Sequence, residues 1–395
     1  MQKYWFLVAG YWLLDFGHWI QVAYVLYLIF AHHSQSPLTI HETYMHRCIE
    51  LAKLGAGNVA PNPMVGAVLV YDGKIIGEGY HQQYGGPHAE VNAIGLATLS
   101  GQNGMLSKSI LYVSLEPCAH FGKTPPCADL IIHHKIPKVI IGCRDPFKEV
   151  DGRGIEKLKA AGVEVELGIL EDECKELNKR FFTFHILHRP YIILKWAQTA
   201  DGFIANTDYS RVLITNEYTN RLVHKWRAEE SAILVGTNTA LHDNPELTTR
   251  LVEGKNPVRS VVDMSLRLPA SLKIFNRKIT TIIFNGIKND DDGNLLYRQV
   301  NKNGNIIQQI LETLYDLKIQ SVIIEGGSKL LQSFIDENLW DEARVIINNE
   351  LKINTGIKAP VLSNANKHQT ENILSDGINF YKPATAIAMA DNYKP

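Results

Sequence analysis

Pro87-His88-Ala89-Glu90 is followed by Glu116-Pro117-Cys118 and then by Cys127. Zinc favours tetrahedral nitrogen and sulfur donors, and a catalytic zinc keeps three protein ligands and one open position for water. His88, Cys118 and Cys127 give that count. A bound metal lowers the pKa of its water from about 15.7 towards 7, which makes hydroxide available at neutral pH. Glu90 lies beside His88 in sequence and is not expected to be a ligand. It is placed to take the water's proton and deliver it to a substrate nitrogen. The chemistry this set suits is hydrolytic removal of an amino group from a pyrimidine ring. Two plainer readings stand beside it: an accidental grouping, or a structural zinc site. A structural site usually has a fourth ligand, for which His120, between the cysteines, is the candidate.

A second constellation is Glu325-Gly326-Gly327-Ser328, after a strand-like run and opening a helix-like one. Glycines there let backbone N–H groups approach a phosphate at a helix N-terminus. A tight strand–helix turn would use the same residues, and the pattern is not the dinucleotide GxGxxG fingerprint.

The elements that must position these residues follow from periodicity. Helical spacing covers residues 42–56, ended by Gly55 and Gly57. A hairpin pairs 64–71 with 74–80 across Asp72-Gly73. Helices are then expected at 89–99, 128–134, 154–161 and 171–185, and strands at 110–115, 139–142 and 163–167. This alternation argues for a largely parallel sheet with helices on both faces. Cys118 would follow a strand, and His88 and Glu90 would open a helix, where such sheets present ligands. Pro190 disfavours helix at Arg189, which marks a boundary. A second α/β run has strands at 191–195, 232–235, 258–262, 280–284, 321–324 and 344–348, and helices at 216–229, 308–317 and 328–337. Residues 285–304 read as a polar variable loop.

At 395 residues the chain is long enough for two or three domains. A formal net charge of −1 offers no single-sign field to capture nucleic acid or acidic membranes. Five cysteines, an odd and small number, argue for a reducing compartment rather than a disulfide framework. The lead segment, residues 1–36, carries three of the six tryptophans, with Asp15 dividing two apolar runs. It reads as an appended extension with the working protein beginning near Met45, as a membrane span, or as an amphipathic helix on the body.

The zinc nucleobase deaminases share the His-x-Glu and Pro-Cys pattern, with a non-ligand glutamate as acid and base, but place two residues between the cysteines. Here Ala119 to Pro126 makes eight. That insert, His120-Phe121-Gly122-Lys123-Thr124-Pro125-Pro126, reads as a substrate-facing loop. With Asn62-Pro63-Met64-Val65-Gly66-Ala67, Arg144-Asp145-Pro146 and Gly152-Arg153-Gly154-Ile155, it resembles the bifunctional riboflavin-biosynthesis deaminase/reductase family from about Met45 onward. Leu194-Lys195-Trp196-Ala197-Gln198-Thr199-Ala200-Asp201-Gly202 and Asp243-Asn244-Pro245-Glu246-Leu247-Thr248-Thr249-Arg250 resemble its reductase half.

The resemblance implies an α/β fold in two parts. The first is a cytidine-deaminase-like three-layer α/β/α domain over 42–188, after an extension at 1–41. The second is a dihydrofolate-reductase-like α/β domain over 189–395. It implies one zinc per chain, NADPH, and a phosphoribosyl-aminopyrimidine substrate deaminated at C2 and then reduced from ribosyl to ribityl. Asn62 and the loop around His81 would read the pyrimidine. Ala197, Thr239, Asp243 and the turn Gly327, Ser328, Lys329, Leu330, Leu331, Gln332 and Ser333 would contact NADPH. Arg227, Leu247, Arg250 and Glu325 would contact substrate, the arginines through its phosphate, and Lys195 would lie near the transferred hydride. Plain alternatives remain: an Asn-Pro turn for Asn62, a helix-surface charge for Arg227, and a covered strand residue for Lys195. The family often has tryptophan before the Ile-Thr pair, where this chain has Leu213. Ser210 as the substrate serine is therefore open to a one-residue shift involving Arg211. A cytoplasmic homo-oligomer without nucleic-acid or membrane partners is expected. The alternatives are a deaminase with an inactive C-terminal half, including one acting on nucleic acid or free nucleosides, and a non-catalytic zinc-stabilised binding protein.

Overall fold

The computed structural model describes residues 38–121, 125–210 and 212–385. The lead segment lies outside these residues, as do Gly122, Lys123 and Thr124 of the insert, and Arg211. No helix among the described residues is long and apolar enough to cross a membrane.

The first helix among the described residues, α1 (Ile40–Lys53), starts earlier than its apolar spacing suggested because Thr39 and Glu42 form a capping box. The Thr39 hydroxyl accepts from Glu42 N–H, and the Glu42 carboxylate accepts from Thr39 N–H. Met45, read as a possible start, is fully buried inside this helix, downstream of its cap.

Strands β1 (Gly66–Tyr71) and β2 (Lys74–Tyr80) form the expected hairpin. Asp72 and Gly73 both adopt left-handed φ, 49° and 69°, as a tight hairpin turn requires. There follow α2 (Ala89–Leu99), β3 (Ile110–Leu115), α3 (Cys127–His133), β4 (Lys138–Cys143), α4 (Arg153–Ala160) and β5 (Glu164–Leu167). The sheet order is β2-β1-β3-β4-β5. Only β3, β4 and β5 run parallel; β1 is antiparallel to both neighbours. The sheet is mixed rather than largely parallel, because a two-residue turn can join only antiparallel strands.

The period of two splits the strand residues between two cores. Ala67, Leu69, Leu111, Val113, Val139 and Ile141 pack with α2, α3 and α4. Val68, Val70, Tyr112 and Ile140 pack on the other face with Met45, Cys48 and Phe182. This gives three layers. The expected last helix is two, α5 (Glu171–Leu177) and α6 (Lys179–Leu187). They break at Asn178, whose Oδ1 accepts from Met64 N–H and whose Nδ2 donates to the Met64 carbonyl, both at 2.8 Å.

His188 turns the chain in left-handed conformation. The next run holds β6 (Tyr191–Thr199), β7 (Phe203–Ala205), α7 (Glu217–Glu229), β8 (Ala232–Gly236), α8 (Thr237–Asp243), β9 (Val258–Val262), β10 (Thr281–Asn285), β11 (Asp290–Asp292) and β12 (Leu295–Gln299). It continues with α9 (Ile306–Asp316), β13 (Ser321–Glu325), α10 (Ser328–Asp336), β14 (Glu342–Asn348), β15 (Ile357–Lys358), β16 (Ala365–Ile373) and β17 (Asp376–Pro383). The large sheet has the order β11-β12-β10-β9-β8-β13-β6-β14-β17-β16. It is parallel from β12 to β14 and antiparallel at both ends. Residues 285–304, expected as a loop, contribute β11 and β12. There Leu295 and Tyr297 pack on one core and Leu296 on the other, an alternation masked by polar neighbours.

The two sheets share no strand, and the contacts between the units include polar ones. Arg180 of α6 forks onto Glu230, Lys179 bonds Glu342 at 2.8 Å, and Gln320 donates to the Pro61 carbonyl at 2.6 Å.

Candidate active sites

His88 is the N-cap residue of α2 and Glu90 lies in its first turn. Cys118 follows β3, and Cys127 opens α3. This brings the one ligand atom of each of His88, Cys118 and Cys127 within 4.8 Å of the others. His88 Nδ1 lies 3.6 Å from Cys118 Sγ and 3.3 Å from Cys127 Sγ. Zinc–nitrogen and zinc–sulfur bonds of ordinary length at the tetrahedral angle put N and S about 3.6 Å apart, so the three donors fit one zinc ion. His120, the candidate fourth ligand, is not in the group. Its ring packs against Phe147, and its buried Nδ1 has no hydrogen-bond partner among the described residues. The contact between the two thiols pulls Cys118 down and pushes Cys127 up; zinc ligation deprotonates both.

Glu90 is 3% exposed, and burial raises its pKa. A carboxyl so placed exchanges protons nearer neutrality than a solvated one. His81 Nδ1–H donates to the Pro87 carbonyl at 2.9 Å, which leaves Nε2 to accept from Asn62 Nδ2 at 3.1 Å. Burial lowers the His81 pKa and keeps this tautomer neutral. Both residues line a cavity of about 480 Å³ together with His88, Glu90 and Cys118.

Two acids in this cavity wall were missed in the sequence. Glu116 accepts N–H bonds from Asp145, Gly152, Gly154 and Ile155, tying the Cys118 loop to the start of α4. Gly154 is required there, since a Cβ would strike the Pro117 carbonyl. Asp145 is 6% exposed, and burial pushes its carboxyl up to about 8. The motif Glu116-Pro117-Cys118 carried the signal for Glu116, but its partners lie in a separate sequence block.

A second cavity, about 950 Å³, opens at the C-terminal ends of the parallel strands of the large sheet. Lys195, Ala197, Arg227, Thr239, Asp243, Leu247, Arg250, Glu325, Gly327, Ser328, Lys329, Leu330, Leu331 and Ser333 all line it. Ser210 and Gln332 do not: Ser210 Oγ accepts from Asn206, and the Gln332 amide bonds Asp336 and Val361. Tyr209, Thr237, Asn238, His242 and Arg267 line the cavity and were not singled out; they sit in an unforeseen short helix and in loops without periodicity.

Arg227 is no helix-surface charge. It forks onto Glu325 through two 2.7 Å bonds, and Lys195 Nζ reaches the same carboxylate at 3.5 Å. Burial pushes Glu325 up, but Arg227 and Lys195 overcome this and hold it at about 2. Burial lowers Lys195 against the opposing pull of Glu325. Gly326 and Gly327 are both left-handed, at 96° and 79°. A Cβ on Gly326 would come 2.9 Å from Thr239 Cγ2. The N-cap of α10 makes no side-chain bond, and its first-turn residues line the cavity. Those backbone donors suit the phosphates of a dinucleotide.

Residues 38–143 match the family model of the cytidine and deoxycytidylate deaminase zinc-binding region, and residues 190–350 match the RibD C-terminal domain. The riboflavin biosynthesis protein RibD of Aquifex aeolicus is 42% identical over 313 residues, 78% of this chain and 86% of that protein. The chain belongs to the RibD family. The RibD of Escherichia coli is 33% identical over 78% of this chain and 87% of its own length. A solved structure from Thermotoga maritima, a diaminohydroxyphosphoribosylaminopyrimidine deaminase/5-amino-6-(5-phosphoribosylamino)uracil reductase, is 38% identical with a TM-score of 0.80, covering 87% of this chain and 99% of that one. The Acinetobacter baumannii RibD, form 2, is 30% identical with a TM-score of 0.79, covering 88% and 100%. As a RibD-family enzyme the chain pairs a zinc-binding deaminase fold with a reductase fold, and its cofactors are zinc and NADPH.

Proposed function

We propose that this chain deaminates 2,5-diamino-6-(5-phosphoribosylamino)pyrimidin-4(3H)-one at C2 and then reduces the ribosyl group of the product to ribityl with NADPH. The deaminase unit would span 42–188 and the reductase unit 189–395. The observation that carries the first step is the three-donor cluster beside a buried glutamate. His88, Cys118 and Cys127 would hold the zinc, which when bound would supply Lewis-acid activation of the attacking water. Glu90 would carry one proton of that water to the ring nitrogen and then the second, from the newly added hydroxyl, to the amine as its bond to the ring breaks. Water's oxygen becomes the new carbonyl oxygen, and ammonia leaves. Asn62, oriented by neutral His81, presents its amide to the pyrimidine.

NADPH, when bound in the second cavity, would supply the hydride for the sugar carbon in the second step. Gly327, Ser328, Lys329, Leu330, Leu331 and Ser333, with Ala197, Thr239 and Asp243, would hold it. Glu325 orients Lys195 and Arg227, so Lys195 presents a proton-bearing group beside the transferred hydride. Arg250, whose side chain is half exposed, is the freer guanidinium for the phosphate. All five cysteines are unpaired, which supports a cytoplasmic setting; we propose a homo-oligomer there, which sedimentation would show. The experiment for the deaminase is ammonia release from the phosphorylated diaminopyrimidine alongside metal analysis. About one zinc per chain and ammonia release are expected, both lost in Cys118→Ser. A zinc-free chain with full activity would overturn the site.

A further inference from the structure

The cavity around His88, Glu90 and Cys118 is not built from the first unit alone. Tyr315, Lys318 and Gln320, from the second unit, form part of its wall. Three contacts hold this edge in place. Gln320 Nε2 donates to the Pro61 carbonyl at 2.6 Å, next to Asn62. The Tyr315 ring packs at a tilt of 35° against Phe184 of α6, with centroids 4.5 Å apart. Lys318 terminates α9 in left-handed conformation, φ 61°, with its N–H donated to the Tyr315 carbonyl at 2.9 Å, the C-terminal turn that fixes a helix end.

Charge singles out one residue on this edge. Lys318 is the one lysine or arginine among the described residues lining the cavity. No carboxylate among the described residues pairs with it; its Nζ lies 5.4 Å from the centre of the Tyr315 ring. The ionisable carboxyls of the wall, Glu90, Glu116 and Asp145, cluster with the metal ligands, and Phe147, Phe181 and Phe184 are apolar. His185, also in the wall, is held at about 4 by burial, with His188 and Lys318 adding to the effect. It is therefore neutral at working pH. A substrate that carries a phosphate dianion away from its reacting ring finds one permanent cation among the described residues of this wall.

We infer that Lys318 receives the 5-phosphate of the deaminase substrate, so that the reductase unit completes the deaminase's binding site. The inference rests on the proposed deaminase reading. A lysine serves a phosphate as a point charge without needing bidentate geometry. Its contribution is to binding rather than to the proton transfers, which Glu90 carries.

The test is steady-state ammonia release by the full chain, its Lys318→Ala variant and its Lys318→Arg variant. Each is given the phosphorylated diaminopyrimidine and, separately, its dephosphorylated ribosyl counterpart. Lys318→Ala should raise KM for the phosphorylated substrate about 10-fold or more, with kcat little changed, as loss of a charged hydrogen bond that serves ground and transition states alike. Lys318→Arg should stay near wild type. On the dephosphorylated substrate, wild type and Lys318→Ala should coincide. NADPH oxidation by Lys318→Ala with the deaminated intermediate should match wild type and so show a folded chain. An unchanged KM in Lys318→Ala, or an equal loss on both substrates, overturns the role of Lys318 while leaving the deaminase reading intact. Absence of ammonia release by wild type on either substrate overturns both.

Discussion

In the proposed mechanism Glu90 carries protons and the three zinc donors hold the metal, and that division can be tested one residue at a time. Glu90→Gln removes the acid and base but no ligand. It should keep about one zinc per chain while ammonia release falls by at least 10²–10⁴-fold, the usual range for a positioned proton-transfer group; metal analysis and an ammonia assay on one preparation check both halves. In the second cavity, Glu325 neutralises two buried cations. Glu325→Gln leaves them uncompensated and should cost about 3–5 kcal/mol of stability. The pH dependence follows from a folded pKa of about 2 against an ordinary 4.5. A depressed carboxyl stabilises the fold above pH 4.5 and loses that contribution as pH falls towards 2. The gap in urea stability between wild type and Glu325→Gln should therefore be full at neutral pH and close across that window. A gap constant down to pH 2 would contradict the ion-pair account. These residues were unequally legible. His88, Glu90, Cys118 and Cys127 sit in short motifs whose spacing was enough to suggest that they converge, as His88, Cys118 and Cys127 do. The Arg227–Glu325 fork joins residues far apart in sequence, and no local pattern records it.

Element boundaries show the same limit at larger scale. Strands with clear alternation and the Asp72-Gly73 hairpin were readable because period and turn chemistry are local. The break at Asn178 was not, since its cause is the Met64 backbone in another part of the unit. Asn178→Ala leaves both Met64 groups without their partner and should destabilise by about 1–3 kcal/mol, seen as a lower thermal midpoint. The edge strands β11 and β16 were hidden by their polar, exposed residues. The Gly326 turn makes a sharper test. Gly326→Ala must hold a left-handed φ and crowd Thr239. It should weaken NADPH binding about 10-fold or more, for a backbone strain of about 1–3 kcal/mol, while ammonia release stays near wild type. Fluorescence titration with NADPH measures it, and unchanged affinity would remove this turn from the cofactor site.

Across the whole molecule two sheets carry two cavities, and the units meet through α6, Gln320 and the Arg180–Glu230 fork. Strands before and after Pro190 belong to separate sheets, and the proposed division there rests on proline interrupting the periodicity; the mutual contacts of the two units were not legible, because nothing in sequence order announces them. Both chemistries reside in one chain, yet their reacting groups lie in separate sequence blocks and separate cavities. Arg250→Ala should therefore lower kcat/KM for reduction by roughly 10- to 150-fold, the loss of one charged hydrogen bond, and leave ammonia release intact. The measurement closest to the central claim offers each intermediate separately to wild type and to Glu90→Gln, following ammonia and NADPH absorbance together. Wild type should release ammonia from the diaminopyrimidine phosphate without NADPH and oxidise NADPH with the deaminated product, and Glu90→Gln should perform only the second reaction. A folded Glu90→Gln that cannot reduce the deaminated product, or a wild type that oxidises NADPH with neither compound, would contradict two independent sites in one chain.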